Sequence, residues 1–170
     1  MKKFRFKSHN LLLFFVLIIT IPLAYAQKPI DAVLKQYNKE NIPYISADSL
    51  FAIKNKSVLI DSREKEEFET SHIKNAIHIG YKNFNINAVK GIDKNQKIIV
   101  YCSLGVRSEV IANRLIKNGY TNVYNLYGGI FEWKNKNFPI VDNSGKETEK
   151  VHAFSEEWGV YLKKGIKVYE

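Results

Sequence analysis

The chain has 170 residues, a formal net charge of +9 and one cysteine. A single cysteine excludes an internal disulfide, and the four histidines show no spacing typical of a metal site. Most lysines are scattered along the chain, which is typical of a solvated surface and argues against a nucleic-acid partner.

The first 26 residues have the layout of a secretory signal peptide. Four basic residues precede an apolar run over residues 11–21, and Ala24-Tyr25-Ala26 matches a signal-peptidase site. The run is shorter than the ~20 residues that span a bilayer, so a cleaved signal is favoured over an uncleaved anchor helix. We expect cleavage after Ala26 and an exported, periplasmic protein that is free of the membrane after cleavage.

Short helices and strands are predicted to alternate through the next part of the chain. A helical lead-in covers residues 27–43, and further helices are predicted at 46–53, 64–69, 107–117 and 128–133. Strands are predicted at 44–45, 58–61, 76–79, 97–101 and 123–126. Such alternation predicts an α/β domain over residues 44–140, with a parallel, about five-stranded sheet covered by helices on both faces.

The last segment, residues 141–170, has a different character. It begins with a polar, turn-rich stretch and then carries Phe154, Trp158 and Tyr161 at helical spacing, with a helix start near Ser155. We expect a C-terminal extension whose helix packs on the domain. A helix lying on a membrane surface is the alternative interpretation.

The cysteine lies where ligands bind in parallel sheets, at the carboxyl end of a strand. Cys102 ends the strand, Gly105 permits a tight turn, and Ser108 is predicted to be the N-cap of the next helix. Inward-facing amides at such a turn hold an anion, and Arg107 adds a cation. Because the pKa of a cysteine falls at helix N-termini and near arginine, the pattern predicts a thiolate nucleophile.

Several segments, in order along the chain, resemble the rhodanese-like sulfurtransferase family over about residues 45–139. They are residues 59–63 (LIDSR), 67–68 (EF), 71–79 (SHIKNAIHI), 123–133 (VYNLYGGIFEW) and the loop with four residues between Cys102 and Arg107. Ser71 and Asn75 stand where the family usually has glycine.

The resemblance implies a ping-pong transfer of sulfane sulfur through a persulfide on Cys102. The donor would be a small anion such as thiosulfate and the acceptor a thiol or cyanide, and no cofactor or metal is implied. We expect a monomer in which the loop residues bind substrate: Ser103, Leu104, Gly105, Val106 and Arg107. Ser108 would support the loop, Asp61 would hydrogen-bond its amides or act as a general base, and Arg63 would provide support by ion pairing.

Three other functions are compatible with parts of this pattern. The nearest rival enzyme is a cysteine phosphatase or arsenate reductase; cell-cycle phosphatases share the fold, but their loop has five residues between Cys and Arg, whereas this loop has four. A non-catalytic binding module is favoured less because Cys102 is present. Disulfide exchange normally uses a second cysteine, which the chain does not have.

Overall fold

The computed structural model describes residues 28–39 and 41–169. The predicted signal peptide, residues 1–26, lies outside the described residues. Within these ranges, no helix is both long enough and apolar enough to cross a bilayer.

The described chain forms six α-helices and nine short strands. The helices are α1 (Ile30–Tyr37), α2 (Ala47–Ile53), α3 (Lys65–Thr70), α4 (Val106–Lys117), α5 (Gly129–Asn135) and α6 (Glu156–Gly159). The strands are β1 (Tyr44–Ile45), β2 (Val58–Asp61), β3 (Ile77–His78), β4 (Ile98–Tyr101), β5 (Val123–Leu126), β6 (Ile140–Val141), β7 (Glu147–Thr148), β8 (Lys150–His152) and β9 (Ile166–Val168). Short 3₁₀ helices cover Lys54–Lys56 and Ile86–Val89.

Local capping explains where the helices begin and end. The hydroxyl of Ser46 accepts a hydrogen bond from the backbone N–H of Ser49, which fixes the start of α2 as predicted. Glu64 and Glu67 form a capping box at the start of α3. Helix α4 ends at Lys117 with Asn118 as its C-cap, and the following Gly119 has a φ of 90°, a common helix stop.

The first five strands form one parallel sheet in the order β1-β5-β4-β2-β3. Successive residues of each strand face opposite sides, so two apolar layers cover the sheet. Leu59 and Ile99 pack with α2 and α5 on one face, whereas Ile60 and Ile98 pack with α4 on the other. The predicted α/β fold, with a five-stranded parallel sheet covered on both faces, is confirmed.

The C-terminal extension is more varied than the sequence predicted. Its helix, α6, has only four residues, and the rest forms an antiparallel pair, β6–β7, and a parallel pair, β8–β9. A longer helix cannot extend past Phe154 or Gly165, because both have positive φ. Beyond Gly165, the β-branched residues Ile166 and Val168 flank Lys167 and favour a strand. Val151 and Leu162 are buried in the same apolar layer as Leu59 and Ile99, so the extension packs on that face of the sheet. The boundaries at residues 44 and 140 stay a prediction.

Candidate active site

Cys102 follows β4 directly and lies at the carboxyl edge of the sheet. Its thiol is buried, with 1% of the residue exposed, yet it has polar contacts. The backbone N–H of Gly105 donates to Sγ at 3.1 Å, and Ser108 Oγ lies 3.6 Å from Sγ. The φ of Gly105 is 115°, a backbone conformation that residues with a side chain rarely adopt, so this turn depends on glycine.

Backbone N–H groups outside the cysteine loop donate hydrogen bonds to its carbonyl oxygens, which leaves the amides of the loop able to face inward. The first turn of α5 donates to two of them: Ile130 N to Cys102 O at 2.9 Å and Phe131 N to Ser103 O at 3.1 Å. Gly129 permits this close approach, since a Cβ there would lie 2.3 Å from the Cys102 carbonyl oxygen. Gly129, the first residue of α5, therefore lets the helix approach the cysteine loop.

Asn125 on β5 fixes the other side of the loop, and the sequence analysis did not identify it. Its Nδ2 donates to Gly105 O at 2.8 Å, while Asn38 Nδ2 donates to the same oxygen at 3.0 Å. The available signal was an asparagine within the apolar run of residues 123–126, because asparagine is uncommon in strands, and the structure buries it completely.

Ser108 is not the N-cap that the sequence predicted. Gly105, in the left-handed conformation, precedes α4, so Ser108 lies within the first turn of the helix and is buried. Its Oγ is 2.7 Å from Asn125 Oδ1 and 3.6 Å from Cys102 Sγ. The one hydroxyl hydrogen can therefore be donated either to the amide oxygen or to a thiolate.

Arg107 forms a bidentate ion pair with Glu67, a residue that the sequence analysis did not place in the site. Arg107 Nη1 lies 2.6 Å from Oε2 and Nη2 lies 2.7 Å from Oε1 of Glu67, and Ser103 Oγ donates to Oε1 at 3.1 Å. Burial raises the pKa of Glu67, but the bonds and charge of Arg107 outweigh burial and lower it from 4.5 to about 2. Glu67 was one of four acidic residues around α3, so its inward orientation had no distinct sequence signal.

The charge of Arg107 also acts on the Cys102 thiol. Burial alone would raise the pKa of the Cys102 thiol, because it disfavours the charged form. The positive charge of Arg107, the Ser108 hydroxyl and the backbone N–H groups of Gly105 and Ser108 outweigh burial, and together they lower the pKa. The surroundings of Cys102 therefore lower its pKa below that of an ordinary cysteine, and the thiolate nucleophile stays a prediction.

Asp61 and Arg63 form a second ion pair, which is completely buried. Arg63 Nη2 lies 2.6 Å from Asp61 Oδ2 and also donates to Ser71 O at 2.6 Å. Asp61 Oδ1 accepts from the backbone N–H of Arg63 at 2.9 Å. The pair ties the end of β2 to the segment after α3, and the asparagine that replaces a family glycine there, Asn75, adopts a φ of 67°.

A cavity of about 160 Å³ opens over Cys102. Four of the predicted substrate-binding residues line it, whereas Gly105 contributes its N–H to the sulfur instead. The C-terminal extension supplies the remaining wall, which the sequence analysis interpreted as core packing. The lining residues are Cys102, Ser103, Leu104, Val106, Arg107, Phe154 and Trp158.

Nothing in residues 28–39 and 41–169 brings three or more metal-ligating side chains together. The polar groups around Cys102 are amides, hydroxyls and one ion pair, which can stabilise a sulfur anion and orient a substrate. The arrangement is chemically suited to a nucleophilic thiolate.

The curated proteins similar to this chain include a sulfurtransferase and a hydroxylase. The chain is 35% identical over 77 residues to thiosulfate sulfurtransferase GlpE of Coxiella burnetii, covering 45% of this chain and 71% of that protein. It is 34% identical over 102 residues to the tRNA uridine(34) hydroxylase of Buchnera aphidicola, covering 55% of this chain but only 32% of that protein.

Among solved structures, the rhodanese-like domain of an Anabaena protein superposes with a TM-score of 0.55 at 22% identity. The superposition covers 59% of this chain and 79% of that domain, and shows a shared fold. The rhodanese-like domain family matches residues 46–136, which include β2, the cysteine loop and α5. The chain therefore belongs to the rhodanese-like domain family.

Proposed function

We propose that this protein is a sulfurtransferase that carries sulfane sulfur as a persulfide on Cys102. The observation that carries the proposal is the Cys102 thiol at the floor of a cavity, with its pKa lowered and the Gly105 N–H at 3.1 Å. The likeness to a thiosulfate sulfurtransferase over 71% of that protein supports the same reaction class.

The first half-reaction loads the enzyme. The Cys102 thiolate attacks the outer sulfur of a donor such as thiosulfate, a new S–S bond forms, and the old S–S bond breaks. Its electron pair leaves with sulfite. The persulfide keeps one negative charge, which the backbone N–H groups of Gly105 and Ser108 and the nearby Arg107 would stabilise.

The second half-reaction returns the thiolate. A thiophilic acceptor, either a thiolate or cyanide, attacks the terminal sulfur of the persulfide. The S–S bond to Cys102 breaks, and its electron pair returns to Sγ. The lowered pKa of Cys102 assists this step because a more acidic thiol is a better leaving group.

Mass spectrometry of the intact protein tests the proposal. After incubation with thiosulfate or glutathione persulfide, the wild type should gain the mass of one sulfur atom, and cyanide should remove it with release of thiocyanate. Cys102→Ser, which keeps the size of the side chain, should gain nothing. Absence of the adduct with every donor would contradict the proposal.

A phosphatase is the rival enzyme, and the size of the loop separates the two. Four residues between Cys102 and Arg107 make a smaller ring than the five-residue phosphatase loop. We expect no turnover of p-nitrophenyl phosphate that depends on Cys102. Brisk turnover in the wild type that is lost in Cys102→Ser would show that the protein is a phosphatase instead.

We also propose that the protein acts after export, in the periplasm, as a monomer. The layout of residues 1–26 supports export. The test is cell fractionation with N-terminal sequencing, which should yield a mature chain beginning at Gln27. An intact N-terminus in the cytoplasm would contradict it.

A further inference from the structure

The floor and the walls of the Cys102 cavity differ in chemistry. The floor is the polar loop, but the walls are the side chains of Leu104, Val106, Phe154 and Trp158. The two polar side chains that line it, Ser103 and Arg107, are both bonded to Glu67. A substrate that enters therefore meets mainly hydrocarbon before it reaches the sulfur.

Phe154 is held over the cavity by an unusual turn. Ser155 N donates to Ala153 O at 2.8 Å, which makes a γ-turn centred on Phe154 with a φ of 66°. His152 Nδ1 accepts from Phe154 N at 3.1 Å and fixes the turn. Aromatic residues seldom adopt positive φ, and such strain is often associated with a functional site.

Core packing does not account for this strain. Phe154 is 50% exposed, so little apolar burial offsets the conformational cost. Its ring instead lies 4.7 Å from the guanidinium carbon of Arg107, on the cavity side of the ion pair. The turn thus places an aromatic ring against the site.

Trp158 is positioned by the start of α6 and by two tyrosine rings. Ser155 Oγ accepts from Trp158 N at 3.4 Å at the start of α6. The indole also packs against two tyrosines, with ring centroids 5.9 Å from Tyr37 and 6.3 Å from Tyr161. Both Phe154 and Trp158 lie outside residues 46–136, the part matched by the family, so this wall is an addition to the family domain.

We propose that Phe154 and Trp158 are specificity-determining residues that select an organic thiol acceptor carrying an apolar group close to its sulfur. This inference rests on the proposed sulfurtransferase function. The apolar group packs between the two rings, and its thiolate attacks the terminal persulfide sulfur. A new S–S bond forms on the acceptor, the bond to Cys102 breaks, and the electron pair returns to Sγ. Cyanide, a strongly hydrated ion, gains nothing from this wall.

The test measures single-turnover release of sulfur from the loaded enzyme. The Cys102 persulfide is prepared with whichever donor gives the mass adduct, and the donor is removed. Decay is then followed with benzyl mercaptan and with 2-mercaptoethanol, two thiols of similar acidity that differ in their apolar group. The wild type should favour benzyl mercaptan by at least about tenfold in the second-order rate constant, as expected for an apolar pocket.

Variants assign that preference to the wall. Phe154→Gly removes the ring and suits a positive φ, so it should fold and lose most of the preference; Trp158→Ala should also lower it. Phe51→Ala is the matched control, because it also removes a partly exposed phenyl ring. Phe51 is 38% exposed and stacks on Phe138, and it does not line the cavity. The control should keep the wild-type ratio of rates.

The outcomes separate this inference from the proposed function. If the persulfide forms but wild type shows no preference, or Phe154→Gly and Trp158→Ala keep it, the specificity role is wrong and the sulfurtransferase proposal stands. If no donor loads Cys102, both fail together.

Discussion

The two carboxylate–arginine pairs of this domain have the same chemistry but different surroundings. Asp61–Arg63 and Glu67–Arg107 each include an N···O contact of 2.6 Å. The side chains of the first pair are 0% exposed, whereas Arg107 in the second is 15% exposed and lines the cavity. The position of each pair decides its role: the first connects two segments of backbone, and the second sets the charge beside the Cys102 thiol.

The backbone contacts of the two pairs support this division. Arg63 Nη2 donates both to Asp61 and to the carbonyl oxygen of Ser71. The carbonyl oxygen of Arg63 itself lies 2.8 Å from His78 Nε2. Both Nη atoms of Arg107 donate to Glu67, and Nη2 also donates to Ser103 Oγ, next to Cys102. We therefore expect changes to the first pair to act mainly through stability, and changes to the second pair to alter reactivity as well as stability.

The largest effect is expected from breaking the buried pair. Arg63→Met keeps the length of the side chain but leaves the Asp61 carboxylate buried without its cation. The free energy of unfolding should fall by about 3–5 kcal/mol, as for other buried pairs that lose one partner. Urea unfolding followed by circular dichroism measures this change.

The exposed pair Lys65–Glu69 on α3 supplies the matched control. Lys65→Met makes the same chemical change at a side chain that is 71% exposed, where solvent screens the interaction. No measurable loss of stability is expected there. Equal losses in the two variants would show that burial of the Asp61–Arg63 pair does not determine its importance.

The next effect concerns acid stability. Because the folded protein lowers the pKa of Glu67 from 4.5 to about 2, the ionised carboxylate stabilises the fold above pH 4.5, and this contribution is lost as the pH falls toward 2. The difference between the two values corresponds to about 3 kcal/mol at neutral pH. Glu67→Gln should be less stable than wild type at pH 7, and the gap should close between pH 4.5 and 2. A gap that stays constant with pH would contradict this account.

Removing the cation of the second pair should slow the chemistry. Arg107→Gln takes away the charge that lowers the pKa of Cys102, so that pKa should rise. Below the midpoint, each rise of one pKa unit lowers the thiolate fraction about tenfold, and persulfide formation should slow accordingly. The measurement is the rate of loading against pH. Arg114→Gln, an exposed arginine on the same helix, should keep the wild-type profile.

Glu67→Gln should shift the same profile in the opposite direction and by a smaller amount. It removes the negative charge that opposes Arg107, so the pKa of Cys102 should fall further. The midpoint of the loading rate should move toward acid by less than one pKa unit, because the arginine already acts on the thiol in the wild type. Shifts of the same sign in Glu67→Gln and Arg107→Gln would contradict the proposed division of charge.

The sequence predicted the sheet and the cysteine loop because both depend on local patterns. All five strands of the parallel sheet lie within one residue of their predicted bounds. Apolar runs that end in Asp61 or Cys102 indicate strands, and Gly105 followed by Arg107 indicates a tight turn before a helix. These signals need no knowledge of distant contacts.

The missed residues act across long distances in the chain. Glu67 meets Arg107 across 40 positions, and Asn125 meets Gly105 across 20. Phe154 has the helical spacing of a core aromatic, yet a γ-turn directs it to the cavity. Which acidic or aromatic side chain turns inward is decided by tertiary packing, so a single sequence could not identify Glu67 or Phe154, whereas Asn125 had the weak signal of an asparagine within an apolar strand.

The most direct test of the central claim is the acidity of Cys102 in the folded protein. Because it is the only cysteine, the ultraviolet absorbance of the thiolate can be titrated against pH, with Cys102→Ser as the blank. The account predicts a midpoint below the ~8.5 of an unperturbed cysteine. A midpoint at or above that value would show that burial prevails over the amides and Arg107, and would contradict a preformed thiolate.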